Sequence, residues 1–254
     1  MLKVTVFKDE RTLARTLATQ IAATLKDTPD LVLGLPTGRT PVRLYHELGT
    51  LYARQQADFS QARTFNLDEF LGIGPDHPGS YRAFMEEHLF SRVNLRPERI
   101  HVLHGAAPDP EGECARYEQA IADAGGIGLQ LLGIGTNGHI GFNEPARELA
   151  ARTHRVTLKA STRRSNAALF GGDVSEVPTE ALSMGMATIL QARRIVLIAT
   201  GKSKARCVDL VVNGPITTKL PASFLQLHPN VEIMLDEAAG GSPDGLQPSS
   251  TSTT

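Results

Sequence analysis

The sequence predicts an α/β protein: a single open, doubly wound, mostly parallel sheet with helices on both faces, Rossmann-like in outline. Two observations carry this expectation. Short apolar or alternating runs take turns with segments whose apolar residues recur at helical spacing, from Lys3 to Leu235. The residues with chemistry to offer then fall directly after the strand-like runs, at the edge where open α/β sheets bind ligands. One domain over 1–238 suits the length. The remainder, 239–254, is rich in Gly, Pro, Ser and Thr and is expected to be a disordered tail.

Each element has its own signal. Lys3 to Phe7 alternates as a strand. Leu13, Leu17, Ile21 and Leu25 then mark a helix over 10–25, with Asp9 as its N-cap. Asp30 to Leu35 is a buried-type strand that ends in Gly-Leu-Pro-Thr-Gly-Arg-Thr-Pro, 34–41, and Arg43 to Ala53 is the next helix, with Pro41 at its first turn. A strand, a Gly/Thr turn and a helix start make an anion site, because free backbone N–H groups and the positive end of the helix dipole meet there. Thr37, Gly38, Arg39 and Thr40 are the candidate contacts. No Gly-Lys-Ser/Thr closes the turn, so it is not a Walker loop, and an ordinary βα turn is the plain alternative. Thr64 to Phe70 reads as one strand delivering Asp68 and Glu69 at its end; a solvated terminus is the competing explanation. Further helices are expected over 80–90, with Ser80 as cap, over 111–122 and over 162–170. Strands are expected at 99–103, 152–158, 194–200 and 231–235. Gly201-Lys-Ser-Lys-Ala205 opens a helix to about Val212 and offers Lys204 as a second phosphate contact. His101 and His104 have loose metal spacing but no third ligand nearby, and are read as structural. Ser183 is no nucleophile elbow, because Ala181 stands where that motif needs Gly.

The most informative stretch runs from Leu131 to Pro145. A buried strand stops at Gly133, Gly135, Gly138 and Gly141, among which sit Asn137, His139, Asn143 and Glu144. The first three glycines match G-x-G-x-x-G. A dinucleotide site would also need a helix at the third glycine and an acid about 20 residues on, and Glu144-Pro145 follows at once instead. A bent loop that aims a histidine and a carboxylate at one small molecule is the better reading.

Composition narrows the partners. With 26 basic and 27 acidic residues the chain has no charge excess to attract nucleic acid or an anionic membrane surface. Cys114 and Cys207 form no metal or disulfide pattern, the first nine residues are too short and charged for a signal peptide, and no apolar run would span a bilayer. A cytoplasmic protein acting on a small molecule is expected, with monomer and homo-oligomer both open.

Four segments, GLPTGRTP at 34–41, TFNLDEF at 64–70 with HPGSY at 77–81, GIGTNGHIGFNEP at 133–145, and GKSKA at 201–205 with LQLHPN at 225–230, resemble the glucosamine-6-phosphate deaminase (isomerase) family in the same order. The family is related to the 6-phosphogluconolactonases. The resemblance implies conversion of glucosamine 6-phosphate and water into fructose 6-phosphate and ammonia, with no metal or organic cofactor. By motif position it makes Asp68 the base that moves a proton between the sugar's C2 and C1. It makes His139 the group that opens the ring, with Glu144 orienting or activating it. Asn137 stands where some members have Asp; lacking that charge, it should leave His139 with a lower pKa. Lys204 keeps the family's phosphate lysine, whereas Ala168 replaces an Arg and Arg39 replaces Gly or Ser. Arg39 is therefore expected to supply the missing cation, with Arg164 as its rival one helical turn before Ala168. The exchange could instead signal a different substrate such as galactosamine 6-phosphate. Arg147, Glu148, His154 and Val156 differ from the set that binds an acetylated activator in some members, so such activation is not expected. Two alternatives share the fold: a 6-phosphogluconolactonase-type hydrolase and a non-catalytic sugar-phosphate-binding module of a transcription regulator. The acid, imidazole and second acid together, and a chain opening directly on its first strand without a helix-turn-helix, argue against the latter.

Overall fold

The computed structural model describes residues 2–241. Its strands are β1 (Lys3–Phe7), β2 (Val32–Leu35), β3 (Arg63–Asn66), β4 (Asp68–Phe70), β5 (Ile100–His101), β6 (Leu129–Gly133), β7 (His154–Thr157), β8 (Glu180–Ser183), β9 (Arg194–Ala199) and β10 (Val231–Asp236). Between them run α1 (Glu10–Asp27), α2 (Arg39–Ala53), α3 (Tyr81–His88), α4 (Pro110–Asp123), α5 (Ala160–Asn166), α6 (Met186–Leu190), α7 (Ala205–Asn213) and the closing turn α8 (Glu237–Gly240). Seven strands form a parallel sheet in the order β1-β10-β9-β6-β2-β3-β5. Central strands such as β9, Arg-Ile-Val-Leu-Ile-Ala, are apolar on both sides because helices cover both faces. One layer of core gathers Leu13, Leu17, Tyr45 and Leu48 from α1 and α2 against Leu33, Leu131 and Val196. The other packs Tyr117, Ile189 and Val208 against Phe65, Leu132 and Leu197.

The expected parallel sheet is present, and beside it lies a second, antiparallel one, β4-β8-β7, that the pattern did not announce. The run from Thr64 to Phe70 is not one strand. At Leu67 the chain leaves the large sheet: its N–H still donates to Leu35 O at 3.2 Å, but its carbonyl accepts from Met184 N at 2.7 Å. Asp68 then pairs with Ser183 in the small sheet. An alternation count cannot detect this, because the backbone stays extended while the partner changes.

Helix α2 opens at Arg39 rather than Arg43, capped by Gly38. Pro41 lies within its first turn, where its missing N–H is no loss. Asp9 and Ser80 do cap α1 and α3, accepting from Thr12 N and Ala83 N. The edge strand β1 pairs only with β10, from Lys3↔Glu232 to Phe7↔Asp236. Glu232 ties three strands together, meeting Lys3 at 2.9 Å, Thr5 Oγ1 at 3.0 Å and Arg194 at 3.0 Å. Glu237–Gly240 crosses the domain boundary placed at 238, and Ala239 is buried; the rest of the expected tail, 242–254, lies outside the described residues. Among the described residues no helix is long and apolar enough to cross a membrane.

Candidate active site

Strand order places the site. From β2 the chain winds outward through β3 to β5, and from β6 it winds the other way through β9 to β10. The crevice beyond the carboxyl ends of β2 and β6 is therefore the point where the winding reverses, the preferred ligand site of such sheets. The 36–38 turn follows β2 and the 134–145 loop follows β6; β4 continues from β3, and Gly201–Lys204 follows β9.

Asp68 enters from β4. It is 6 % exposed, and its Oδ1 has no hydrogen-bond partner among the described residues. A Cβ built on Gly141 would lie 3.6 Å from Asp68 Oδ2 and 3.1 Å from Ser183 Oγ, so the acid sits against the middle of the glycine loop. Burial, and then the charge of Glu69, push the Asp68 carboxyl up to about 8. Glu69, its neighbour in sequence, points elsewhere. It accepts from Phe70 N (2.8 Å), Tyr81 N (2.9 Å) and Arg82 N (3.0 Å), and so anchors the amino end of α3. Sequence offered two adjacent acids; the structure leaves one of them uncommitted.

Across the loop, His139, Asn137 and Glu144 form a chain. Asn137 Nδ2 donates to Glu144 Oε2 at 2.7 Å, since a carboxylate can only accept. That fixes the amide so that its Oδ1 faces His139 Nδ1, 2.7 Å away. The imidazole is thereby assigned the Nδ1–H tautomer, with Nε2 left as a base. Glu144 Oε1 is 3.6 Å from Nδ1, so the acid reaches the ring chiefly through the intervening amide. The ring lies flat on Gly135: a Cβ there would fall 2.2–2.5 Å from its atoms. His139 is held below its ordinary pKa, first by burial and then by Lys204 and Lys159, with Glu144 opposing them. Burial is the largest cause of this direction, and Asn137 is not among its causes.

The cations gather next to this chain. Lys204 Nζ donates to Ile134 O at 2.7 Å at the mouth of the loop. Its ammonium is held below the usual lysine range by burial, and the charge of Arg39 lowers it further. Arg39, the first residue of α2, is exposed and shares the electrostatic neighbourhood of Lys204. Thr37 faces the Tyr81 hydroxyl, on which the charge of Asp68 also acts, so the 36–40 turn looks into the same crevice. Gly38 caps α2 and Thr40 is its second residue. Arg164 is exposed on α5.

Two participants, Thr162 and Lys159, carried no sequence signal, and Tyr81 was noted only as the end of the HPGSY segment. Thr162 Oγ1 donates to Glu144 Oε1, Lys159 Nζ lies 3.9 Å from Glu144 Oε2, and Tyr81 Oη donates to Asn166 Oδ1 at 3.1 Å. Thr162 and Lys159 belong to α5 and its cap, outside the quoted motifs, and Tyr81 opens α3. Ser183, set aside as a nucleophile, is fully buried and accepts from Phe142 N at 3.0 Å, which braces the loop. His101 stacks on Phe65 with ring centroids 4.4 Å apart. Among the described residues no three His, Cys, Asp or Glu side chains converge as a metal cage would require.

The family described as glucosamine-6-phosphate isomerases/6-phosphogluconolactonase matches residues 8–233. A curated relative from Giardia intestinalis, named glucosamine-6-phosphate deaminase 2, is 51 % identical over 88 % of this chain and 85 % of its own. A solved structure described as a monomeric glucosamine-6-phosphate deaminase superposes with a TM-score of 0.90 at 42 % identity, covering 94 % of this chain and 98 % of its own. A 6-phosphogluconolactonase from Trypanosoma cruzi superposes with a TM-score of 0.76 at 18 % identity, covering 96 % and 98 %, a likeness of fold alone.

Proposed function

Because the chain belongs to the glucosamine-6-phosphate isomerase/6-phosphogluconolactonase family, we propose that it converts glucosamine 6-phosphate and water into fructose 6-phosphate and ammonia. The observation that carries this reading is a buried acid packed against Gly141 of the same loop whose His139, Asn137 and Glu144 form a hydrogen-bonded chain. Ring opening needs a base at the anomeric hydroxyl and an acid at the ring oxygen; His139 Nε2 takes the first proton and delivers it to the second. Aldose–ketose isomerisation then moves a proton from C2 to C1 on one face of the open chain, which a single carboxylate, Asp68, accomplishes by removing and returning it. The high pKa of Asp68 suits the task, since a stronger base abstracts a carbon-bound proton more readily once it is ionised. Ammonia leaves when water adds at C2 of the resulting imine.

Lys204 and Arg39 receive the phosphate at the start of α2, with the N–H groups and hydroxyls of the Thr37–Thr40 turn completing the cradle. Arg39 takes the role of the arginine missing at Ala168, and Arg164 stands outside the cradle. Lactone hydrolysis needs no such shuttle across two carbons. The test is ammonia release from glucosamine 6-phosphate, with galactosamine 6-phosphate and 6-phosphogluconolactone as parallel substrates. Ammonia from the glucosamine compound is expected; turnover of the lactone alone would overturn the reading. Buried free thiols at Cys114 and Cys207 fit a cytoplasmic setting.

A further inference from the structure

Glu144 is 7 % exposed, and a buried carboxylate needs donors on both oxygens. Asn137 serves Oε2. The donor to Oε1 comes from outside the glycine loop altogether: Thr162, 5 % exposed on α5, contributes its hydroxyl. Lys159 does not substitute for it, because its ammonium lies 3.9 Å from Oε2 and donates to Pro145 O at 2.7 Å instead. With Oε1 engaged by Thr162, Glu144 stays 3.6 Å from His139 Nδ1, and the neutral Asn137 amide occupies the place beside the imidazole.

We propose that Thr162 is a positioning residue that holds Glu144 off His139, so that the imidazole keeps the uncharged Nδ1–H form that leaves Nε2 free to accept the substrate's proton. This deepens the deaminase reading and rests on it for the catalytic part. Without the hydroxyl, Oε1 is free to turn to Nδ1 and displace the amide. A direct carboxylate–imidazole contact favours the imidazolium, by about one pH unit or more for an anion at this range. An imidazolium has no lone pair to offer the anomeric hydroxyl. The other charges around the pair do not reproduce this control. Lys204 and Lys159 both oppose a cation on the ring, Arg39 acts on Lys204, Cys207 lies with its thiol against Gly135 O, and Asp68 packs against Gly141 and is not among the charges acting on the ring.

The test compares Thr162→Val, which keeps shape and loses the hydroxyl, with Thr162→Ser, which restores it. In the substrate-free protein, the NMR titration midpoint of His139 is expected to rise by about one pH unit in Thr162→Val and to return to the wild-type value in Thr162→Ser. In turnover, kcat of Thr162→Val is expected to fall by up to about threefold near neutrality, more at lower pH, and to recover at higher pH, with KM for glucosamine 6-phosphate within about twofold of wild type. A midpoint that stays put or falls in a folded Thr162→Val protein, or a Thr162→Ser protein that behaves like the valine variant, overturns the proposal. The NMR arm needs no substrate. Absence of ammonia release by the wild type would therefore sink the functional reading while leaving the role of Thr162 to be decided separately.

Discussion

At the scale of single residues, Asp68 is where stability and activity pull apart. Its carboxyl ordinarily titrates at 3.8 and is raised to about 8 in the fold. Below about pH 4 the folded and unfolded chains both hold the proton. Between there and pH 8 only the folded chain does, so stability falls as pH rises through that window. Asp68→Asn removes this dependence. It is expected to lower kcat by at least about a hundredfold while raising the melting temperature relative to wild type, most at pH 8 and hardly at pH 4. The span corresponds to at most on the order of 5 kcal/mol. Scanning calorimetry at the two pH values checks this, and a variant no more stable than wild type at pH 8 would show that the acid is not desolvated. For the wild type, kcat/KM should climb with pH to a plateau above about 8, since the base must be ionised to work. Gly135 makes the second test. Alanine there puts a carbon 2.2 Å from the imidazole of His139, and the ring must swing away. Gly135→Ala should cost about a hundredfold in kcat and leave KM for the sugar phosphate close to wild type, because Arg39 and Lys204 are untouched. Asp68 and His139 could be singled out in the sequence by type and placement. Thr162 could not, because a threonine in a helix carries no mark of the carboxylate it will meet.

At the scale of elements, helix α2 and the strand pair β3–β4 decide how the site is assembled. The start of α2 gathers backbone N–H groups, the helix dipole and Arg39 at one point. Arg39→Ala is expected to raise KM for glucosamine 6-phosphate by about tenfold or more, with the effect shrinking at high salt. Arg164→Ala, on the exposed side of α5, should leave it unchanged. Steady-state kinetics on both variants decides between the two arginines, and the opposite outcome would move the cradle to α5. The turn before α2 was legible because strand, glycine and helix start follow one another in the chain. The change of sheet at Leu67 was not. It depends on Met184, more than a hundred residues away, offering its N–H to Leu67 O, and local periodicity holds no trace of that partner. The same change separates the two acids. Asp68 faces Ser183 in the small sheet, while Glu69 is drawn to the backbone of α3.

At the scale of the whole molecule, the parallel sheet and its reversal between β2 and β6 bring the turn after β2, the loop after β6 and Gly201–Lys204 after β9 to one edge of the sheet. The alternation of periods from Lys3 onward was enough to anticipate a mostly parallel sheet with helices on both faces, but not its strand order. The small sheet was hidden, because β4, β7 and β8 are short and their pairing is set by the main fold that carries them. The Glu232 cluster joins the two ends of this layout. Among the described residues β1 has no neighbour in the sheet except β10, and Glu232 binds Lys3, Thr5 and Arg194 across three strands. A chain cut after Asn230 would lose Ile233, Met234 and Leu235, all fully buried, and leave both β1 and β9 with an open flank. Such a truncation is expected to aggregate rather than elute as a folded monomer-sized species, as size-exclusion chromatography would reveal. The pairing also sets an order of events in the cell. β1 must wait, unmatched, for β10, across more than two hundred residues of intervening chain. Contacts of such long sequence separation form slowly. A newborn molecule thus carries an unfinished border until β10 has been made, and that interval is when a chaperone would have most to do.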